Sequence, residues 1–231
     1  MHDPASIFHA DLAVPAVIRT APGMFVQGRR IRSLVFSTDL AVICHCDADA
    51  VLAVYPFTCQ PAITQALVAA SQRPVFNGVG GSITHGERCV EVALHSEMQG
   101  VAAVVVNTSI PLDTVRALLD RVNVPVVVTV CADDEVAARQ IAAGVDMVNV
   151  AAGARTVEVV RALRERYPAL PIIATGGRDE AAIERTIAAG ADAISWTPPD
   201  IRKMERAVME KARRLAVDQL ADPSESPSAA R

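Results

Sequence analysis

Short apolar runs alternate with longer amphipathic segments along most of the chain. The clearest runs, at 101–106, 126–130 and 145–150, are rich in valine and too short for helices of ordinary length. Continuous runs of β-branched residues are typical of parallel strands that are buried on both faces. The segments between them, such as 133–143 and 156–166, repeat apolar residues at helical spacing and begin with capping or acidic residues. The pattern therefore predicts strands and helices in regular alternation.

Proline and glycine mark the starts of these strands in strict alternation. The residues concerned are Pro74, Gly100, Pro125, Gly144, Pro171 and Gly190. The three prolines follow one another at intervals of about 45–50 residues, and so do the three glycines. The sequence AAGVDMVNV at 142–150 also resembles AAGADAISW at 188–196. A module of two strands and two helices therefore repeats, and it predicts eight strands, at 31–37, 50–55, 74–78, 101–107, 125–130, 145–150, 171–175 and 191–196.

Eight strand–helix units in about 200 residues indicate one particular architecture. We expect the α/β class and a single compact (β/α)8 TIM barrel at 28–221, with an N-terminal arm at 1–27 and a disordered tail at 222–231. An open, doubly wound sheet is the alternative, but no G-x-G-x-x-G turn opens the chain.

Composition and charge narrow the range of partners. Hydrophobic residues make up 51% of the 231 positions, aromatic residues only 3%, and the formal net charge is -4. This acidic balance argues against binding to nucleic acid. No segment is apolar for long enough to span a membrane. The N-terminus lacks the features of a signal peptide, and five cysteines without framework spacing indicate reduced thiols. We expect a cytoplasmic homo-oligomer with subunit contacts from the arm and the amphipathic segment 200–220.

Four side chains at predicted strand ends can carry acid–base or nucleophilic chemistry, because barrel enzymes place their sites there. They are Asp39, His85, Glu87 and Cys131. His85 and Glu87 suit a general acid–base pair, or else Glu87 stabilises the helix start and His85 is solvated. Asp39 is either a general base or a first-turn helix charge. Cys131 is either a nucleophile or a buried structural thiol.

A second set of residues is expected to bind the ligand. Neutral groups near the strand ends suit recognition of a polar, oxygen-rich small molecule, and they are Tyr55, Asn77, Gly80, Gly81, Asn107 and Asn149. An anion site is expected after the seventh strand, at Gly176, Gly177, Arg178 and Thr197. Two glycines before a helix let backbone amides approach an anion at the helix N-terminus.

The sequence PIIATGG at 171–177, followed by a helix and the last strand, resembles the phosphate-binding TIM-barrel superfamily. That superfamily includes ribulose-phosphate-binding barrels, FMN-dependent barrels and ketodeoxy-phosphogluconate aldolases, and the resemblance covers about residues 124–197. It implies an anion held by Gly176 and Gly177. The stretch SWTPPD at 195–200 departs from the pattern, because two prolines remove amide donors and Asp200 repels phosphate. Whether the anion is a phosphate or a carboxylate stays open.

The lysine count excludes one mechanism. Lys203 and Lys211 are the only lysines of the chain, so no predicted strand carries a Schiff-base lysine. We therefore expect a lyase, aldolase-like enzyme or isomerase that acts on a small anionic metabolite by acid–base chemistry. The alternatives are an FMN-dependent oxidoreductase and a non-catalytic barrel scaffold. No cofactor and no metal ligand is assigned, although FMN or a divalent metal fits some of these alternatives.

Overall fold

The computed structural model describes residues 12–54, 57–177 and 179–221. Eight parallel strands close into a barrel in chain order, and the last strand pairs with the first. Two short strands, β1 and β2, precede the barrel and are described below. The barrel strands are β3 (Ser33–Phe36), β4 (Ala50–Ala53), β5 (Val75–Gly80), β6 (Ala103–Val106), β7 (Val126–Val130), β8 (Met147–Val150), β9 (Ile172–Thr175) and β10 (Ala193–Trp196). The predicted TIM barrel and its α/β class are confirmed.

Helices follow the barrel strands on the outside. Among the described residues they are α1 (Leu40–His45), α2 (Pro61–Ala70), α3 (Gly86–Met98), α4 (Leu112–Arg121), α5 (Glu135–Ala142), α6 (Thr156–Arg166), α7 (Glu180–Ala188) and α8 (Ile201–Ala221). Short 3-10 helices span Ala16–Thr20 and Gly153–Arg155. Within the described ranges, no helix combines the length and the apolar character needed to cross a bilayer.

A two-stranded antiparallel hairpin precedes the barrel, and the sequence did not predict it. Its strands are β1 (Met24–Val26) and β2 (Arg29–Ile31). The turn residues Gln27 and Gly28 have φ values of 49° and 76°, as a two-residue hairpin turn requires. The predicted strand 31–37 was therefore wrong at its start, because Ile31 belongs to the hairpin. The expected boundary between arm and barrel falls in this turn, and 222–231 lies outside the described residues.

The hairpin closes the base of the barrel. Its apolar residues Met24, Val26 and Ile31 join the inner core cluster, which also contains the inward-facing strand residues. Those strand residues include Leu34, Leu52, Phe76, Val105, Val127, Met147 and Ile173. Backbone hydrogen bonding holds the hairpin there, since the amide of Gly23 donates to the carbonyl of Asp192 at 2.8 Å. A second cluster, between strands and helices, forms the outer core.

The sequence repeat that precedes alternate strands has a structural cause. Asp49, Asp146 and Asp192 each stand just before a strand, and each carboxylate accepts from a backbone amide at the start of the neighbouring strand. The donors are Arg32 and Ser33 for Asp49, at 2.8 and 3.1 Å, Val126 for Asp146 at 2.8 Å, and Ile172 for Asp192 at 2.8 Å. These bonds fix the strand starts and leave the opposite, C-terminal ends free for a site.

Candidate active site at the open end of the barrel

A layer of neutral polar side chains lies at the open end of the barrel interior. Asn149 pairs in register with Thr129, and Met147, two residues earlier on the same strand face, belongs to the inner core. On the next two strands of the barrel, Thr175 of β9 pairs with Ser195 of β10, which also pairs with the inner-core residue Leu34. The interior therefore changes from apolar to polar towards the C-terminal ends of the strands.

Asn149 is the most informative member of this polar layer. Its side chain is only 5% exposed, and its Nδ2 donates to the Thr129 hydroxyl at 3.2 Å. Its Oδ1 has no hydrogen-bond partner within the described part of the chain. A buried carbonyl without a donor is costly, and such groups are usually satisfied by water or by a ligand. The oxygen is therefore placed to accept a hydrogen bond from a molecule in the mouth.

A small pocket lies over the ends of β4, β5 and β6, and no residue of the polar layer lines it. We call it the glycine-loop pocket, and its volume is about 100 Å³. It is lined by Val54, Phe57, Cys59, Gly78, Val79, Gly80, Gly81, Ser82, Ile83, Thr84 and Asn107. The predicted binding residues Gly80, Gly81 and Asn107 thus line one pocket.

The glycine loop has a fixed shape. A side chain at Gly80 would collide with the Cys89 sulfur and lie 2.8 Å from the Thr84 carbonyl. The amide of Gly81 donates to that same carbonyl at 2.8 Å, and the amide of Asn107 donates to the Gly80 carbonyl at 3.0 Å. The strand pairing shifts register between Gly78 and Gly80. These features turn the end of β5 inward, so that backbone groups line the pocket wall.

Asn77 does not belong to the mouth, and its assignment as a binding residue was wrong. It is fully buried on the outer face of β5, where Nδ2 approaches Cys59 Sγ, Thr64 Oγ1 and Ser96 Oγ at 3.2, 3.1 and 3.0 Å. Its neighbour Phe76 occupies the inner face instead. Asn77 therefore joins the barrel to helices α2 and α3.

The four predicted catalytic side chains are not assembled into one site. Asp39 is the N-cap of α1 and accepts from the amides of Ala41 and Val42 at 2.8 and 3.1 Å. Glu87 faces Arg121, with 3.9 Å between Oε1 and Nη1. His85 is exposed at the start of α3 and makes no side-chain capping bond.

Cys131 is an exposed free thiol just after β7, so the alternative of a buried structural thiol was wrong. No hydrogen bond or ion pair joins it to Asp39, His85 or Glu87, all of which the structure describes. A group of three or more His, Cys, Asp or Glu side chains able to hold a metal ion is absent from the described ranges.

The expected anion site after β9 is occupied by the protein's own groups. The amide of Gly176 already donates to the Ser195 carbonyl at 2.8 Å, continuing the sheet ladder. Gly177 is required because a side chain there would collide with Ala182 on α7. The Asp179 carboxylate caps that helix by accepting from the Ala182 amide at 2.8 Å. Thr197 is exposed, and Tyr55 and Arg178 lie outside the described residues.

Aspartates cap four of the helices that begin at the open end. They are Asp39, Asp134, Asp179 and Asp200, and each carboxylate accepts from a backbone amide of the first turn. A carboxylate at a helix N-terminus satisfies the free amides and the positive end of the helix dipole. These helix starts therefore have little capacity left for a bound phosphate.

Two buried cysteines keep their protons. Burial raises the pKa of the Cys89 thiol to about 12, and the nearby Cys59 adds to the shift. Burial likewise raises the pKa of Cys46. Cys89 lies behind the glycine loop and is completely buried. These thiols are neutral at physiological pH and serve packing, as buried cysteines usually do.

Sequence reasoning did not assign Thr129, Thr175 or Ser195 to the site. Each is a single hydroxyl residue at the end of an apolar run, as in VVVTV at 126–130. That substitution of a hydroxyl for an aliphatic side chain is the signal that could have revealed them, because a barrel interior is otherwise filled by aliphatic residues.

Comparison with known proteins supports the fold. No family model matches the chain, and no curated protein matches it significantly. Among solved structures, phosphonopyruvate hydrolase has a TM-score of 0.63 at 13% identity, covering 99% of this chain and 92% of that one. Phosphoenolpyruvate phosphomutase from Streptomyces platensis subsp. rosaceus has a TM-score of 0.61 at 15% identity, covering 96% and 92%.

A third similar structure is 2,3-dimethylmalate lyase, described as a member of the PEP mutase/isocitrate lyase superfamily. Its TM-score is 0.60 at 13% identity, and the match covers 100% of this chain and 92% of that one. The chain is a TIM barrel. At these identities the likeness is one of fold alone, and it does not extend to the phosphate-binding superfamily that PIIATGG resembles.

Proposed function

We propose that this barrel is an enzyme of the lyase or isomerase kind that acts on a small, oxygen-rich carboxylic acid bound at the open end. The observation that carries the proposal is the buried and unpartnered Oδ1 of Asn149, beside the hydroxyl of Thr129. A ligand hydroxyl that donates to this oxygen removes the cost of leaving it unsatisfied. The solved structures that share this fold include a lyase and a mutase, and their names support the reaction class by analogy.

A carboxylate suits the mouth better than a phosphate. The helix starts around it already carry the carboxylates of Asp39, Asp134, Asp179 and Asp200. Repulsion grows with the charge of the ligand, so a doubly charged phosphate is disfavoured more than a singly charged carboxylate. Neutral donors such as the hydroxyls of the polar layer can hold a carboxylate without adding charge.

The chemistry proposed is proton transfer without a Schiff base, because both lysines of the chain lie in α8. Cys131 is the leading candidate for a catalytic group. It follows the inward-facing Thr129 by two residues and is exposed at the rim. His85 is the second candidate, since it stands at the end of the glycine loop. Asp39 and Glu87 are occupied by a helix cap and by Arg121.

The experiment compares binding of the singly charged acids glycolate, L-lactate and acetate by isothermal titration calorimetry. We expect the two hydroxy acids to bind, more tightly than acetate, because only they present a hydroxyl to Asn149. Asn149→Leu should abolish this preference. The control is Gln140→Leu, which changes another buried amide with an unpartnered oxygen on α5, outside the barrel interior. Equal affinities in wild type and Asn149→Leu, or no binding of either hydroxy acid, would contradict the proposal.

A binding barrel without turnover is the second candidate function. It is favoured by the use of Asp39 as a helix cap and of Glu87 in an ion pair, which leaves few ionisable groups for catalysis. Nuclear magnetic resonance of the bound acid after long incubation separates the two candidates. A new product signal that Cys131→Ser or His85→Gln reduces indicates an enzyme. An unchanged ligand in every sample indicates a binding protein.

A further inference from the structure

The hydrogen bond between Asn149 and Thr129 has a direction, and that direction decides which atoms the pair presents to a ligand. The Nδ2 of Asn149 donates to the Oγ1 of Thr129 at 3.2 Å. An amide nitrogen only donates and an amide oxygen only accepts, whereas a hydroxyl group does both. Because the Thr129 hydroxyl is the acceptor of this bond, its own proton stays available for a further bond.

One acceptor and one donor are therefore left side by side. In the part of the chain that the structure describes, the Oδ1 of Asn149 has no hydrogen-bond partner, and the one bond of the Thr129 hydroxyl is that from Asn149. The two oxygens are less than about 6 Å apart, because Oδ1 shares a carbon with the Nδ2 atom that contacts Thr129. A single small molecule can satisfy both groups.

The barrel holds both side chains at its open end. Thr129 and Asn149 lie on the adjacent strands β7 and β8 and pair in register. Two residues earlier, Val127 and Met147 also pair in register and belong to the inner core. Both polar side chains therefore face the interior above an apolar layer, and their missing partners are to be supplied from the open end.

We propose that Thr129 and Asn149 together select a 2-hydroxy acid over the corresponding 2-oxo acid, with Thr129 as the residue that sets the orientation of the Asn149 amide. The inference rests on the proposed function, because it takes a small carboxylic acid as the ligand over Asn149. A carboxylate only accepts hydrogen bonds, so it engages the hydroxyl proton of Thr129. Thr129 then accepts from Nδ2, which leaves Oδ1 to accept from the ligand hydroxyl.

A 2-oxo acid cannot complete this arrangement, because its oxo group is a second acceptor. To donate to it, the amide of Asn149 would have to turn over and present Nδ2. The Oδ1 atom would then need the proton of Thr129, and the carboxylate would lose its donor. One hydrogen bond is missing in either orientation, which should weaken binding by about tenfold or more.

The test compares L-lactate with pyruvate by isothermal titration calorimetry, since the two acids share their charge and carbon skeleton. The wild type should bind L-lactate at least about tenfold more tightly than pyruvate. Thr129→Val removes the hydroxyl but keeps a side chain of similar size, so the ratio of the two affinities should fall to about one. Thr129→Ser keeps the hydroxyl and should retain the preference.

The matched control is Thr175→Val, which removes another hydroxyl of the same polar layer. Thr175 pairs with Ser195, and no hydrogen bond joins it to Asn149 among the described residues. This change should leave the ratio of the two affinities as it is in the wild type. Thermal unfolding followed by circular dichroism checks that each variant is folded.

The selectivity and its dependence on Thr129 decide the outcome. A preference for L-lactate that is lost in Thr129→Val and kept in Thr129→Ser and Thr175→Val supports the proposal. Equal binding of L-lactate and pyruvate by the wild type overturns it, as does a preference that survives in Thr129→Val. In both of these cases, a preference for L-lactate over acetate that depends on Asn149 leaves the proposed function standing. Failure of L-lactate to bind overturns both.

Discussion

The guanidinium of Arg164 and the carboxylate of Asp192 form an ion pair at the base of the barrel, with 2.6 Å between Nη2 and Oδ2. The same carboxylate oxygen accepts from the amide of Ile172 at 2.8 Å. Arg164 in turn donates to the carbonyl of Gly190 at 2.9 Å and to that of Leu170 at 2.9 Å. One pair of charges thus joins α6 to the starts of β9 and β10.

Asp192→Ala should lower the free energy of unfolding by about 2–4 kcal/mol, because it leaves a half-buried guanidinium and a backbone amide without their acceptor. Urea unfolding followed by circular dichroism measures the change. Asp113→Ala is the control, since the Asp113 side chain is 94% exposed in its pair with Arg116. That change should cost less than about 1 kcal/mol. Equal losses in the two variants would show that the Asp192 network has no special role.

Gly177→Ala should destabilise the fold by about 1–3 kcal/mol, because the new methyl group would collide with the Ala182 side chain at the start of α7. Ala182→Gly removes that methyl group and alone costs about 1 kcal/mol of helix propensity. In the double variant the collision is relieved, so the combined loss should be smaller than the sum of the single losses. A strictly additive cycle would contradict close packing between these two positions.

Asn149→Leu should leave the free energy of unfolding unchanged or raise it by about 1 kcal/mol, because it removes a buried oxygen that has no partner. Asn77→Leu is the matched comparison in a neighbouring environment. The Oδ1 of Asn77 is likewise unpartnered, but its Nδ2 lies within hydrogen-bond distance of three groups, Cys59, Thr64 and Ser96, against one for Asn149, so its loss should cost about 2–4 kcal/mol. Thermal and urea unfolding of both variants measure the contrast. A large loss in Asn149→Leu would mean that the oxygen is needed for folding.

The thiol of Cys89 should make stability fall at alkaline pH. Burial raises its folded pKa to about 12 from an ordinary value of 9.0. Between these values the unfolded thiol loses its proton and the folded thiol keeps it, so stability is full below pH 9 and falls by up to about 1.4 kcal/mol per pH unit above it. Urea unfolding at pH 8 to 10.5 measures the slope. Cys89→Ala should show a shallower slope, and an identical one would refute the assignment.

The barrel could be predicted from the sequence because burial on both faces makes its strands continuous apolar runs. The helix ends were predictable as well, since Gly100, Gly144 and Gly190 adopt φ values of 92°, 98° and 112° that other residues rarely take. The hairpin was missed for the opposite reason. Its strands MFV and RRI have three residues each, too few to show a periodic pattern.

The candidate site was only partly predictable, because the same pattern that reveals a barrel strand hides which face each residue occupies. Asn77 and Asn149 both interrupt apolar runs, yet Asn77 faces the helices and Asn149 faces the interior. Asp39 posed a similar problem. A helix starts directly after each strand, so a capping aspartate and a catalytic aspartate stand at the same place in the sequence. Only the hydrogen bonds of the folded chain separate these roles.

The hairpin under the barrel determines from which end a small molecule can reach the candidate site. Because Met24, Val26 and Ile31 close the base and the inner-core residues fill the interior, the described residues leave Asn149 accessible only from the open end. A ligand that binds over Asn149 must leave by the path along which it entered. Product still in the mouth would therefore block the next substrate, and inhibition by product should be competitive with respect to substrate. The rate of exchange should therefore depend on the side chains around that opening.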